Sequence, residues 1–281
     1  MGKAVARWVV VLSTLFVIGP VAAWLTGMIR GEDGGHTVTL LANSSSLRGM
    51  LLGLAVMAIA GACGGVASRV VSRDMGLTMA GIVVAWGAWR LGTLETTVAN
   101  TGDASILLRG AVEALIVGVG GAGVAAATVL SAPRGGKVVL RGSADDDKAP
   151  VGRAGVVGAL VGVPAAGAVA WLVAIEPLKG QCVAAAIGAG IAAGAAAQLV
   201  ASMWRVRAGV LAPVVAVMGA AVLGPIVARL MHDQVVSDAV AHKLLGAGKP
   251  ASLDWLAGAL IGSPIGLAWS RSMLEREVSA G

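Results

Sequence analysis

The chain has 281 residues, 57% of them hydrophobic and 13% charged, with a mean hydropathy of +0.86. Soluble domains carry about 25% charged residues, so a water-soluble protein of this composition would lack the polar surface to cover itself, and a lipid-embedded one is expected. The net charge of +6 and pI near 10.0 do not point to nucleic acid. No basic cluster is interleaved with aromatic residues, and Lys and Arg retained on the cytoplasmic side of a membrane account for the excess.

With 42 Gly, 8 Trp, one Phe and no Tyr, close helix packing has to come from small residues. The excess of Arg over Lys and the shortage of Asn, Phe and Tyr fit a GC-rich, bacterial coding sequence, which suggests the bacterial cytoplasmic membrane. Cys63 and Cys182 both lie in apolar runs and read as small packing residues, not as a disulfide or a metal site.

A helix crosses the hydrocarbon core with about 20 apolar residues, and charged residues punctuate the chain into eight such segments. In order they are Trp8–Ile29, Gly49–Ser68, Met75–Leu94, Ala114–Ala132, Ala154–Ile175, Gly180–Trp204, Ala208–Ala228 and Trp255–Ser270. Arg90 falls in the last turn of the third and is long enough to snorkel. Val21-Ala22-Ala23 has the form of a signal-peptide cleavage site, but the apolar run continues to Ile29, which favours a retained first helix.

With the N-terminus inside, 13 of the 21 Lys and Arg residues fall in inner segments and 8 in outer ones. The expected fold is therefore all-α, a polytopic transmembrane bundle of about eight helices with both termini in the cytoplasm. Its parts are a first four-helix half at 1–132, a cytoplasmic linker at 133–153 containing Asp145-Asp146-Asp147, and a second half at 154–281. Faint echoes align Trp24 with Trp171 and Glu113 with Gly258, at offsets of 147 and 145 residues. Four helices return the chain to its starting side, so a duplication would give two parallel repeats.

Gly118, Gly120 and Gly123 complete a GxGxxG string of the kind found in dinucleotide-binding loops. That motif needs a preceding strand. Here it sits inside an uncharged run of 19 residues, where its glycines are expected to admit a neighbouring backbone. Small residues four apart recur at Gly49/Gly53, Gly61/Gly65, Gly158/Gly162, Gly190/Gly194 and Gly258/Gly262/Gly266, each set forming a groove on one helix face. Leu267 falls on a different face from that last ladder. Pro20, Pro164, Pro213, Pro225 and Pro264 each remove an intrahelical hydrogen bond, giving either static kinks or hinges. The sixth segment is almost entirely Ala and Gly, which suits the bundle centre, and its single amide, Gln198, calls for a polar partner.

Ionisable residues within a membrane are the default functional candidates. Arg109 and Glu113, four apart, are expected to pair; together with Arg90 and Asp254 they put four charges at the outer ends of helices, as gate or substrate candidates alongside Gln198. Asp238 and His242 share a helix face but lack a third ligand, so no metal site is expected. The segment Arg229–Leu245 is patterned as an amphipathic helix lying on the outer membrane surface. No Ser/His/Asp arrangement, HExxH motif or phosphate-binding loop occurs, so neither an enzyme nor a cofactor is expected. The leading expectation is a small-solute transporter or channel. The alternative is a non-catalytic membrane subunit or scaffold, with partner subunits or a second copy beside it in the bilayer.

Overall fold

A computed structural model of the chain describes residues 2–133 and 152–280. The regular structure among the described residues is entirely helical. Helix α1 (Gly2–Ser13) passes through a π-helical turn, Thr14–Ile18, into α2 (Gly19–Thr26). Pro20 explains that turn. It has no N–H for a carbonyl four residues back and its ring crowds that carbonyl, so the helix widens and the Gly19 N–H reaches Thr14 O instead. Then follow α3 (Ser46–Val70), α4 (Arg73–Trp89), α5 (Leu94–Thr101), α6 (Ile106–Ser131), α7 (Arg153–Val173), α8 (Lys179–Met203), α9 (Leu211–Met231), α10 (Val235–Val240) and α11 (Ser252–Ala280).

Among the described residues, seven helices are long and apolar enough to cross a membrane: α1 with α2, α3, α4 with α5, α6, α7, α8 and α9. The sequence leads one to expect eight. The difference is α11, whose polar start and Ser263-Pro264 pair lower its apolar content. This helix packs on α4, α6, α8 and α9, and residues 251–260 are all buried. This first part of the helix is covered by protein and depends little on contact with lipid. The predicted linker at 133–153 lies almost wholly outside the described residues; α7 begins at Arg153.

Tryptophans mark both ends of the bundle. Trp24, Trp89, Trp171 and Trp204 sit at helix ends with exposed rings, as in the aromatic belts of membrane proteins. Trp255 alone is fully buried. The two halves share one pairing, second helix with fourth (α3 on α6, α8 on α11), and differ in another: α2 packs mainly on α4, whereas α7 packs mainly on α8.

The closest packing lies between α8 and α11, which run parallel. A Cβ on Gly262 would stand 2.9 Å from Gly190 Cα and 2.8 Å from Ile191 N, and one on Gly194 would stand 3.0 Å from Leu267 N. Gly258 and Gly266 are likewise closed off by the Ala186 and Ile191 backbones. On another side of α8, Gly158 of α7 would place a Cβ 3.2 Å from Ala197 Cα. Small side chains are thus required on two faces of α8, which accounts for its Ala/Gly sequence.

The GxGxxG string behaves differently. Gly118, Gly120 and Gly121 meet the side chains of Met218, Met57 and Leu256, and around Gly123 nothing lies within 4 Å of an added Cβ. The expected approach of a neighbouring backbone is absent, because the helices facing α6 present long side chains that fill the notch. Arg229–Leu245 is also not one surface helix. Arg229–Met231 end α9 and a further six residues form α10; then His242 takes φ +57, and the chain turns inward, burying Leu244 and Gly246–Ala251. Gly246 makes this passage possible: a Cβ there would lie 2.7 Å from Trp171 O.

Candidate functional site

The ends of α2, α4, α7 and α9 meet the starts of α3, α6, α8 and α11 at one end of the bundle, called here the cap end. Residues 30–45, α5, α10 and the buried segment 244–251 cover it. Leu94, Val98, Ile106, Leu107, Val235, Ala239 and Leu244 form a small apolar core of their own there.

Beneath this cap lie three fully buried carboxylates, Glu95, Glu113 and Asp254. Each accepts a backbone N–H from an irregular segment. Glu95 takes that of Leu244 at 3.1 Å, Glu113 that of Leu41 at 2.9 Å, and Asp254 that of Ala251 at 2.9 Å. Non-helical backbone buried in protein must have its polar groups satisfied, and these carboxylates supply the acceptors. Two of them are also ion-paired: Asp254 with Lys179 at 2.8 Å and Glu95 with Lys249 at 3.3 Å. The Lys249 ammonium has three donors and meets three acceptors: Glu95, the Ile175 carbonyl and the His242 carbonyl. Glu113 accepts in addition from the Ser252 hydroxyl and has no cation within ion-pair distance among the described residues.

The sequence-derived candidates divide accordingly. Glu113 and Asp254 both reach the start of α11, through Ser252 and the Ala251 N–H. Arg109 does not pair with Glu113, as their spacing suggested. Glu113 turns inward toward Ser252, while exposed Arg109 lies 3.6 Å from Asp103. Arg90 stands apart, against Gly27. Gln198 is at the opposite end, where its Oε1 accepts from Arg271 Nε at 3.0 Å, and Arg271 also donates to Ala208 O at 2.8 Å. Asp238 bonds His232 at 2.8 Å, and no group of three metal-ligating side chains occurs among the described residues. Lys179, Lys249, Glu95 and Ser252 were not singled out from the sequence. The available signal was a lone charge beside a Gly or Pro at each helix end, as in Pro177-Leu178-Lys179-Gly180 and Gly248-Lys249-Pro250.

Two shifted groups lie outside the spanning helices. Bonds from the Ser105 hydroxyl and N–H, each at 2.8 Å, hold the Asp103 carboxyl below its usual 3.8. A depressed folded value means that this stabilisation is complete above the ordinary carboxylate range and lost as pH falls through the folded value. NMR titration of aspartate-labelled protein should put the Asp103 midpoint below 3.8; a midpoint at or above it would show that the turn does not hold in solution. The His36 imidazole is lowered by desolvation, then by the charges of Arg30, to which it is hydrogen-bonded, and Arg90.

No protein-family model matches the chain, and no curated protein or solved structure shows significant similarity to it. The helical bundle with its apolar exterior is that of an integral membrane protein.

Proposed function

We propose that the protein is a non-catalytic membrane subunit or scaffold, built as a rigid eight-helix body with both termini in the cytoplasm and the cap end outside. One observation carries this reading. The central helix α11 touches the α8 backbone from Gly258 to Gly266, and this stretch is clasped on either side by Lys179–Asp254 and by Gln198–Arg271. A carrier has to part helices around its substrate, whereas this pair leaves no side-chain layer between them to repack. Purification in a mild detergent should then yield a complex of fixed stoichiometry, with no solute flux from the chain alone in liposomes. A monodisperse single chain that conducts or transports would refute the scaffold reading.

The small-solute transporter remains as the second reading, favoured specifically by Glu113. It is fully buried, held by neutral donors only, and sits where a proton-binding acid would be placed. Under that reading Glu113→Gln abolishes pH-driven flux while leaving the protein folded. Topology has its own test: a cysteine at Ser237, in α10, should react with an impermeant thiol reagent in intact cells, and one at Ser143 should not. The reverse pattern would invert the arrangement.

A further inference from the structure

Eight basic residues fall in the segments at the cap end. Lys179, Lys249 and Arg109 have carboxylate partners there. Arg30, Arg48 and Arg90 have none among the described residues, yet all three line a single cavity of about 770 Å³. They come from the chain just beyond α2, the first turn of α3 and the end of α4, three helix ends brought together by packing. With no carboxylate among them, the three guanidinium groups make this cavity a concentrated positive surface. His36, hydrogen-bonded to Arg30, has its imidazole pKa lowered by desolvation and then by the charges of Arg30 and Arg90.

The rest of the cavity is largely apolar, with three aromatic side chains. Trp24, Trp86 and Trp89 line it, and Trp24 and Trp89 are exposed at the level of the aromatic belt. Trp86 lies against Gly19 of α2, while Trp89 reaches toward Gly180 of α8, 3.7 Å from where its Cβ would be. The same two rings also border an apolar cavity of about 350 Å³, completed by Ile82, Ala85 and Val183. The cationic cavity and the apolar one thus adjoin at the same two tryptophans. Guanidinium groups pair with phosphate oxygens in a planar, two-point geometry, and basic pockets between membrane helices are suited to anionic headgroups. A free anion would need the arginines alone. The tryptophans and the adjoining apolar cavity call for hydrocarbon attached to the anion.

We propose that this groove binds the phosphate headgroup of an anionic lipid that enters sideways from the bilayer, its phosphate among Arg30, Arg48 and Arg90 and its chain lying past Trp86 and Trp89. The site does not depend on whether the protein is a scaffold or a carrier.

The test uses the full chain in phosphatidylcholine bilayers containing either brominated phosphatidylglycerol or brominated phosphatidylcholine, with quenching of tryptophan fluorescence as the readout. The parent should be quenched preferentially by the brominated phosphatidylglycerol. The triple variant R30Q/R48Q/R90Q should show equal quenching by the two lipids, and each single variant should lose up to about fivefold of the preference, the scale of one basic residue near a membrane surface. Arg229→Gln removes an exposed charge at the same end outside the groove and should leave the preference intact. Inorganic phosphate at matched ionic strength should not compete. Equal quenching in the parent, an undiminished preference in the triple variant or an equal loss in Arg229→Gln would overturn the proposal. Competition by inorganic phosphate would instead assign the groove to a free anion and overturn the lipid. Because all three arginines are exposed, an unchanged thermal midpoint in the triple variant separates loss of binding from loss of fold.

Discussion

Lys249→Met should lower stability by about 3–5 kcal/mol, the cost of breaking a buried ion pair by removing one partner. The Lys249 side chain is 2% exposed and that of Glu95 0%, so neither charge has water to fall back on. Without the ammonium, Glu95 keeps only the Leu244 N–H, and the Ile175 and His242 carbonyls lose their donor. Removing both charges at once, as Glu95→Gln with Lys249→Met, should recover part of the loss, because no uncompensated charge then remains. Thermal unfolding in detergent, with chemical denaturation to convert midpoints into free energies, measures both. A Lys249→Met protein within about 1 kcal/mol of the parent, the range of exposed pairs, would mean that water reaches the layer beneath the cap.

Gly262→Leu should be the other severe change. Overpacking a core costs about 1–3 kcal/mol when neighbouring side chains can shift. At Gly262 the obstacles are the Gly190 Cα and Ile191 N, 2.9 and 2.8 Å from an added Cβ. Backbone has to move, so the cost should reach the top of that range, and Gly262→Ala should also be destabilising. Leu267, on a face different from the ladder, is itself 5% exposed. Leu267→Ala is therefore expected to cost about 2–5 kcal/mol as a cavity and is unsuitable as a neutral comparison. Ile265, 46% exposed, fills that role. A Gly262→Leu protein melting with the parent would remove the basis for a rigid α8–α11 pair.

Much of the helical layout was legible because lipid imposes a simple rule: long uncharged runs between charges become helices, and the predicted segments overlap the observed ones. The exception is informative. The eighth segment could not be ranked as central from its composition, because burial by protein and burial by lipid leave similar apolar signatures. Intrahelical spacing misled at Arg109 and Glu113. Four residues apart predicts neighbours on a helix, but α6 starts at Ile106, and its first turns face Ser252 on one side and Asp103 on the other. Partners such as Lys179 for Asp254, 75 residues away, depend on how distant helix ends meet, which local pattern does not encode. The glycines illustrate the same limit. Both Gly258 to Gly266 and Gly118 to Gly123 remove side chains from a helix, and only the residues opposite decide whether backbone or a methionine fills the notch.

The contact between α8 and α11 also bears on how the chain is made. Helix α8 is built mostly of Ala and Gly, and such residues contribute little to partitioning from the translocon into lipid. Its closest partner begins at Ser252, a full α9 and α10 later in the order of synthesis. For that interval the face of α8 carrying Gly190 and Gly194 has no mate. The earlier neighbour is α7, joined through the short 174–178 turn and packed through Gly158 against Ala197. The two would therefore enter the bilayer together as a hairpin, with the more apolar α7 carrying its weaker neighbour. When α11 emerges it has to displace lipid from a groove already formed, and the Lys179–Asp254 and Gln198–Arg271 clasps can close only then. A ribosome stalled before Ser252 should hold a nascent chain whose α7 and α8 are already in the membrane as a hairpin, with the Gly190 and Gly194 face of α8 still open to lipid.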